Sequence, residues 1–327
     1  MVGPVSMNLP RHHSLAHLHI LSCLNTLLST KLSQRNDDNA PIRILDIGCG
    51  DGRMVSYLQA ALNKLYPHRA IELYGFDISE QGWSLSEEYL RAIAELEREC
   101  PGIAWSERVQ LISAKEPWPY APGFFDAAVS NVVLEHVEDA DPFFASLRRV
   151  LKPDAVSVHL FPLAHMVVEG HVKVPLAHWI RDMEVQRSWI ALSNWLGIGR
   201  WRRDKELFGE PDLTHYAKSQ SAFLHCCTFY RSFEDMYALC RRHGFGLSYC
   251  FTPQFFFAKL RSVFNMQPKL HYGRGGIAGF RWLPFLILRY VSASTLVITP
   301  MSYDMGARIH AEKELRTRRE SRSKAVA

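Results

Sequence analysis

In Ile42-Arg43-Ile44-Leu45-Asp46-Ile47-Gly48-Cys49-Gly50-Asp51-Gly52-Arg53-Met54-Val55, an apolar run gives way to three alternating glycines and then to helical spacing. Ile42 to Ile47 reads as a buried strand. Met54, Val55, Leu58, Ala61, Leu62 and Leu65 recur at three- and four-residue intervals, which predicts a helix. A glycine turn between strand and helix lets the backbone come close to a ligand, because glycine tolerates left-handed dihedrals and carries no β-carbon. Ile71 to Ile78 reads as the next strand, and Asp77 near its end lies 25 residues beyond Gly52. A carboxylate there can accept hydrogen bonds from both hydroxyls of a ribose. Strand, glycine turn, helix, strand and terminal acid, in that order, predict a nucleoside cofactor.

The alternation continues downstream. Gly82 to Cys100 reads as a helix with Leu85, Tyr89, Ile93 and Leu96 on one face. Val109 to Ser113 and Phe125 to Ser130 read as strands, Pro142 to Leu151 as a helix stopped by Lys152-Pro153, and Ala155 to Phe161 as a fifth strand. After Pro162 the pattern breaks into a stretch rich in His, Trp and Arg, residues 163 to 231. Ser232 to His243 is helical again, with Ser232 as N-cap and Gly244 as stop. Phe245 to Phe251 and Ser294 to Thr299 are the last strand candidates. Short apolar strands alternating with helices predict an α/β, doubly wound, mostly parallel seven-stranded sheet, with a helical insertion after strand five and another before the last strand.

The expected division is an N-terminal helix and linker (1–40), a cofactor-binding core (41–162), a helical acceptor-binding insertion (163–231), and the rest of the core with a second insertion (232–303, the insertion 252–293). A basic tail (304–327) follows. Residues 14 to 32 carry Leu15, Leu18, Leu21, Leu24, Leu28 and Leu32 at helical spacing, and the stretch suits an amphipathic helix better than a membrane span.

Of the 327 residues, 47% are hydrophobic and 22% charged, which excludes a mostly disordered chain. The net charge of +5 owes much to the tail, which permits an anionic partner without demanding one. The seven cysteines include no CxxC pair, so a disulfide scaffold or zinc ribbon is not expected and reduced thiols are. The lack of a convincing span or leader predicts a cytoplasmic protein, with peripheral association at the inner membrane face as a further reading.

A dinucleotide turn usually reads GxGxxG; here it reads GxGxG after Asp46. That spacing resembles the first motif of class I S-adenosylmethionine-dependent methyltransferases. The likeness extends to Gly75-Phe-Asp77-Ile-Ser79, to Phe125-Asp126-Ala-Ala-Val-Ser-Asn131-Val-Val-Leu-Glu135-His136, to Leu147-Arg-Arg-Val-Leu-Lys152-Pro153, and to Phe233 through Phe245. It covers residues 42 to 162 well and 232 to 251 loosely. The resemblance implies a Rossmann-like methyltransferase fold and S-adenosylmethionine as cofactor, leaving as S-adenosylhomocysteine. Gly48, Cys49, Gly50 and Gly52 would line the methionine and ribose, and Asp46 would hold the loop and the methionyl amine. Asp77 would bind the ribose and Ile78 flank the adenine. Asn131 and Val132 would border the reacting methyl. The family's carboxylate after strand three is missing from Ser113-Ala114-Lys115-Glu116, which leaves the backbone at Ala114 or Lys115, or a displaced Glu116, for the adenine amino group.

Methyl transfer to a hydroxyl requires a base near the carboxyl ends of strands four and five. His136 follows strand four. Glu169, His171 and His178 fall within one ten-residue stretch that follows strand five. They suit a base with its orienting partner, a cation that acidifies a hydroxyl, or three structural side chains. With no HxH or HxxxH pair among these residues, no metal ligand set is assigned. Phe161-Pro162 and Glu169-Gly-His171-Val-Lys-Val-Pro175-Leu-Ala-His178-Trp179 resemble methyltransferases of bacterial polysaccharide and lipopolysaccharide gene clusters. That likeness implies O-methylation in polysaccharide biosynthesis, on a glycan or lipid-linked sugar. Trp179, Trp189, Trp195 and Trp201 would stack on sugar faces, or Trp179, Trp189 and Trp195 would form one buried helical face. The aromatic and basic residues between 255 and 290 suit a membrane-surface face or a helical cover on the sheet. A nucleic-acid (RNA) or small-molecule acceptor and a cofactor-binding partner subunit without catalysis are the competing readings.

Overall fold

The computed structural model describes residues 9–10, 14–32, 40–79, 87–209, 212–272 and 282–301. The expected linker (except Ala40), the start of the Gly82 helix and the basic tail lie outside them. The sheet strands are β1 (Ile42–Ile47), β2 (Ile71–Ile78), β3 (Val109–Ile112), β4 (Phe125–Asn131), β5 (Leu151–Phe161), β6 (Phe245–Ser248) and β7 (Ser294–Pro300), in the order β3-β2-β1-β4-β5-β7-β6. Strands β1 to β5 pair in parallel; β7 runs antiparallel to both β5 and β6. The strand order reverses between β1 and β4, and the carboxyl ends of these neighbours form the crevice where open α/β sheets bind ligands.

Helices α2 (Arg53–Leu65), α3 (Glu87–Glu99) and α5 (Ala140–Val150) connect the parallel strands, with a short α4 (Trp105–Arg108) before β3. Ile42, Ile44, Leu45 and Ile47 of β1 are buried on both faces, as a central parallel strand requires. β5 begins at Leu151, earlier than Lys152-Pro153 suggests. Its irregular pairing near Phe125 and Ala127 accommodates the proline, which has no N–H for a regular ladder. β6 ends at Ser248, because Thr252-Pro253 opens the next helix.

α1 (Leu15–Leu32) differs from the amphipathic expectation. Leu18 through Leu24 are all buried, so the helix is enclosed nearly all round. Its outer face is covered by α10 (Thr252–Val263) and the segment that follows. Ser22 Oγ donates to Lys269 O at 2.8 Å, Asn25 Nδ2 to Leu270 O at 2.8 Å, and Tyr272 N to Thr26 Oγ1 at 2.8 Å. The N-terminal helix and the start of the second insertion thus pack together on the core. Of the second insertion's aromatics, Phe255 and Phe285 are buried, while Phe257 and Phe264 are exposed. No helix among the described residues is long and apolar enough to cross a membrane. All seven cysteines are free thiols.

Two imidazoles are built into the core. His159 on β5 lies 2.8 Å from both Ser130 Oγ and Ser157 Oγ. His19 on α1 lies 2.8 Å from Tyr272 OH and from Thr295 Oγ1. Burial lowers both pKa values to about 3, with nearby Lys259 adding to the effect at His19. Each ring is therefore neutral when folded and takes up a proton on unfolding. The stability each contributes is complete above about pH 6.5 and is lost as pH falls toward 3, by up to about 1.4 kcal/mol per pH unit. Replacing His159 by Gln is expected to flatten the pH dependence of urea-measured stability between pH 6.5 and 4.5 by about that slope. An unchanged slope would assign the acid lability to other groups.

Candidate active site

At the end of β1 the chain turns through Gly48, Gly50 and Gly52, with φ of +68°, +52° and +75°. All three are left-handed, a conformation that costs other residues roughly 1 kcal/mol or more. Gly48 has a second requirement: a β-carbon there would sit 2.5 Å from Val133 Cγ2. Gly48 N and Cys49 N donate to Phe76 O at 2.9 and 3.1 Å. Asp77 holds the turn from β2, with Oδ2 accepting from Gly50 N and Oδ1 from Ile78 N, both at 2.7 Å. Burial raises the Asp77 pKa, against the effect of those two N–H groups.

Asp46 behaves differently from the expectation that it holds the loop. It is fully buried, and neither carboxylate oxygen has a hydrogen-bond partner among the described residues. Burial pushes its pKa well above the usual carboxylate range, and Asp77 and Asp51 add to the effect. The loop is held by Phe76 and Asp77 instead. After β3, Ser113 O accepts from Glu116 N at 3.0 Å and Ser113 N donates to Glu116 Oε2 at 3.3 Å, which leaves Ala114 exposed in a tight turn.

At the end of β4, Asn131 leads into Val132, which has φ +59° and is 44% exposed. A β-branched residue in this region is strained, and such strain gathers at functional sites. A single 3₁₀ turn, Leu134–His136, follows. The first insertion supplies what packs over it. It contains a 3₁₀ turn (Ala177–Trp179) and helices α6 (Met183–Trp195), α7 (Trp201–Phe208) and α8 (Leu213–Cys226), and it is followed by α9 (Phe233–Arg242). Ser232 caps α9, as its sequence predicts, and the structure adds a capping box with Asp235.

The structure brings His136, Glu169 and His171 into one cluster. Glu169 is buried, and its Oε2 accepts from His171 N at 2.7 Å and Val172 N at 2.6 Å. Its Oε1 lies 2.8 Å from His171 Nδ1 and also accepts from the Tyr230 hydroxyl. Burial alone would raise this carboxyl; His171, Tyr230 and the backbone outweigh it and hold the pKa at about 2. Glu169 is thus ionised, and His171 Nδ1 donates to it. That contact engages Nδ1 and leaves Nε2 as the ring's second nitrogen. His136 packs edge-on against His171, with ring centroids 5.1 Å apart, and its Nδ1 lies 2.6 Å from Cys227 O. Burial lowers the His136 pKa despite that carbonyl.

His178 stands apart from this pairing. Its ring packs on Tyr230 at 4.7 Å and its Nε2 lies 3.3 Å from Ala164 O. Burial lowers its pKa as well. Trp179 Nε1 donates to the same carbonyl at 2.7 Å while the indole remains 46% exposed. With Trp195 68% exposed, these two tryptophans do not form the buried helical face that was one reading of them.

Glu135 and Tyr230 are the additions. Glu135 is 1% exposed, and neither of its carboxylate oxygens meets a donor from another described residue. Burial pushes its pKa up to about 8, with Glu169 adding to the effect. Its adjacency to His136 was visible in the sequence. Tyr230 carried no signal, since it lies 59 residues from His171 and no periodicity marks it. One donor atom each from Glu135, His136 and His171 lies within 4.8 Å of the other two.

Residues 18–246 match the family described as "Methyltransferase domain". The chain belongs to that family. Its seven-stranded, mostly parallel sheet is the fold of class I methyltransferases. A malonyl-[acyl-carrier protein] O-methyltransferase of Legionella pneumophila is 31% identical over 113 residues, 34% of this chain and 33% of that relative. The match thus spans about a third of that curated relative. Among solved structures, a phosphoethanolamine N-methyltransferase 2 of Haemonchus contortus with phosphomonomethylethanolamine and S-adenosylhomocysteine is 14% identical. The alignment covers 85% of this chain and 53% of that one, with a TM-score of 0.39. An S-adenosylmethionine-dependent methyltransferase of Mesorhizobium loti is 16% identical over 83% of this chain and 97% of that one, with a TM-score of 0.41.

The glycine turn fits the cofactor on two counts. Its three glycines hold a left-handed backbone that would strain a side chain, with Gly48 and Gly50 partly exposed, and Asp46 beneath it is a buried carboxylate without a donor, which a cationic amine would satisfy. Replacing Asp77 by Ala is expected to weaken S-adenosylmethionine binding about tenfold or more in calorimetry, through loss of a charge-assisted bond and of the turn's anchor. Unchanged affinity would remove Asp77 from the cofactor cradle.

Proposed function

We propose that this methyltransferase acts on a hydroxyl of a glycan or lipid-linked sugar precursor, and that the cluster around His171 makes that hydroxyl nucleophilic. The cofactor supplies a methyl group on a sulfonium, which already carries its leaving group. The chain's remaining task is to orient the acceptor and draw off its proton. The observation that carries the reading is the Glu169–His171 pair. A buried ionised carboxylate, fixed by two backbone N–H groups and Tyr230, orients an imidazole at the carboxyl edge of β4 and β5. A carboxyl group bound to an acyl carrier protein, the acceptor in the name of the Legionella relative, is anionic without help and would leave this pair idle. A hydroxyl gives it work.

On this reading Asp46, Gly48, Cys49, Gly50, Gly52, Asp77, Ile78, Ala114, Asn131 and Val132 hold the cofactor. His136, Glu169 and His171 serve the acceptor, and His178 fixes the loop that carries Trp179. The sugar is supported by the exposed indoles of Trp179 and Trp195, whose faces are available for stacking. The lipid carrier is supported by Phe257, Val263, Phe264 and Met266, exposed together in and after α10.

The protein, incubated with methyl-labelled S-adenosylmethionine and cell fractions, is expected to label a glycan or lipid-linked sugar that survives nuclease and mild base. Label lost to nuclease would point to RNA, and base-labile label to a carboxyl ester. Replacing His171 by Ala is expected to lower kcat by about 10²-fold or more with cofactor affinity unchanged. Full activity in that variant would make His171 structural.

A further inference from the structure

We infer that Glu135, His136 and His171 form a binding site for one divalent cation, placed to hold the acceptor oxygen. The inference deepens the preceding reading and rests on it for the acceptor alone; cation binding itself does not depend on it.

The donor set is one carboxylate and two imidazoles, the chemistry of zinc, manganese and iron sites that keep positions open for substrate. Three features raise it above a chance cluster. Glu135 is buried with both oxygens lacking a donor from any other described residue, a polar group left in want of a partner. Its oxygen lies within 4.8 Å of ring nitrogens of His136 and His171. Each imidazole is also held at Nδ1, which leaves Nε2 as the nitrogen for a cation. His136 Nδ1 meets Cys227 O at 2.6 Å, and His171 Nδ1 meets Glu169 Oε1 at 2.8 Å. Histidine ligands of metals nearly always donate their second N–H to a carbonyl or a carboxylate, which fixes the tautomer and aims the lone pair. Both versions of that support are present here, and Tyr230 steadies the carboxylate.

Ligand bonds of about 2.1 Å would draw the three atoms together by about 1–2 Å at most, within reach of side-chain torsions. His171 retains 21% side-chain exposure, which gives an ion a way in. The cation would lower the pKa of a hydroxyl set against it and release the proton to solvent. The oxygen lone pair then forms the new bond to the methyl carbon as the carbon–sulfur bond breaks, and the sulfonium becomes a neutral thioether. His171 holds the cation in that arrangement, and Glu169 acts through His171 as a positioning residue.

The test needs no acceptor. Protein stripped with EDTA is titrated with ZnCl2 by calorimetry and with CoCl2 by visible absorption, since cobalt reports coordination geometry. One tight equivalent is expected in the parent protein. Glu135→Gln and His171→Ala are expected to weaken it about 100-fold or more, and Glu169→Gln by about 10–100-fold with stoichiometry kept. S-adenosylmethionine affinity, measured in parallel, is expected to stay at the parent value, which separates loss of the cation site from misfolding or a damaged cofactor cradle. Should Glu135→Gln fail to bind the cofactor, Glu135→Asp is the substitute. No uptake by the parent protein overturns the inference, as does equal uptake by all variants, which would mean an adventitious ion on the chain's other histidines and thiols. Either result would leave the hydroxyl reading standing. A bound cation with no methylated sugar would overturn that reading alone.

Discussion

Everything at the active face depends on how closely β1 and β4 can come together at their carboxyl ends. The two strands are neighbours in register, so the turn leaving β1 and the turn leaving β4 must share one crevice. They do so because Gly48 carries no β-carbon where Val133 already fills the space. This contact ties the cofactor turn to the 3₁₀ turn that carries Glu135 and His136. A side chain at Gly48 would strain its own backbone and press on Val133, two residues before Glu135. The left-handed backbone of Val132 belongs to the same constraint. β4 has to stop pairing and bend away within one residue, and Val132 N still reaches Leu160 O at 2.8 Å as it does so.

The polar groups divide by the end of the sheet they occupy. At the amino ends, buried Asp126 accepts from Arg43 N at 3.1 Å and pairs with Lys152 at 2.7 Å and Lys31 at 3.7 Å. These groups compensate the charge and outweigh the burial that would otherwise raise its pKa. At the carboxyl ends, Asp46 and Glu135 are as deeply buried and have no comparable partner among the described residues. An isolated buried carboxylate costs several kcal/mol if ionised. The chain satisfies one such group where stability is served and leaves two in want of a ligand where chemistry is served.

The parallel core was legible because its strands are continuous apolar runs punctuated by glycine and proline. β1 and β2 were bounded as the structure has them, and the N-cap at Ser232 placed α9 to within a residue. The burial of α1 was not legible. Its outer face is closed by Lys269, Leu270 and Tyr272, about 250 positions away, and polar residues such as His19, Ser22 and Asn25 read as a solvent face until their partners are known. The same holds at the site. The glycine turn and Asp77 are local in sequence, so their pattern shows. Glu169 and His171 are local too, two residues apart, and their pairing was one of the readings that the sequence left open. Tyr230 and the carbonyl of Cys227 act through tertiary contact alone, and no periodicity announces them.

Those last contacts explain how the first insertion is coupled to the core. Residues 227–231 lie directly after α8 and touch each part of the cluster. Cys227 O meets His136, Phe229 N donates to Glu135 O at 2.6 Å, and Tyr230 donates to Glu169. Arg231 donates to the carbonyls of Leu134 and Val137 at 2.9 and 2.6 Å, closing the turn between them, while its own carbonyl accepts from Ala164 N at 2.9 Å. Five consecutive residues thus bind the turn after β4 to the loop after β5. The helices that would meet the acceptor, α6 to α8, end in this strap. The polar cluster and the helices of the first insertion are thus joined through one continuous segment of chain, so the cluster's geometry and the insertion's placement are fixed by the same hydrogen bonds.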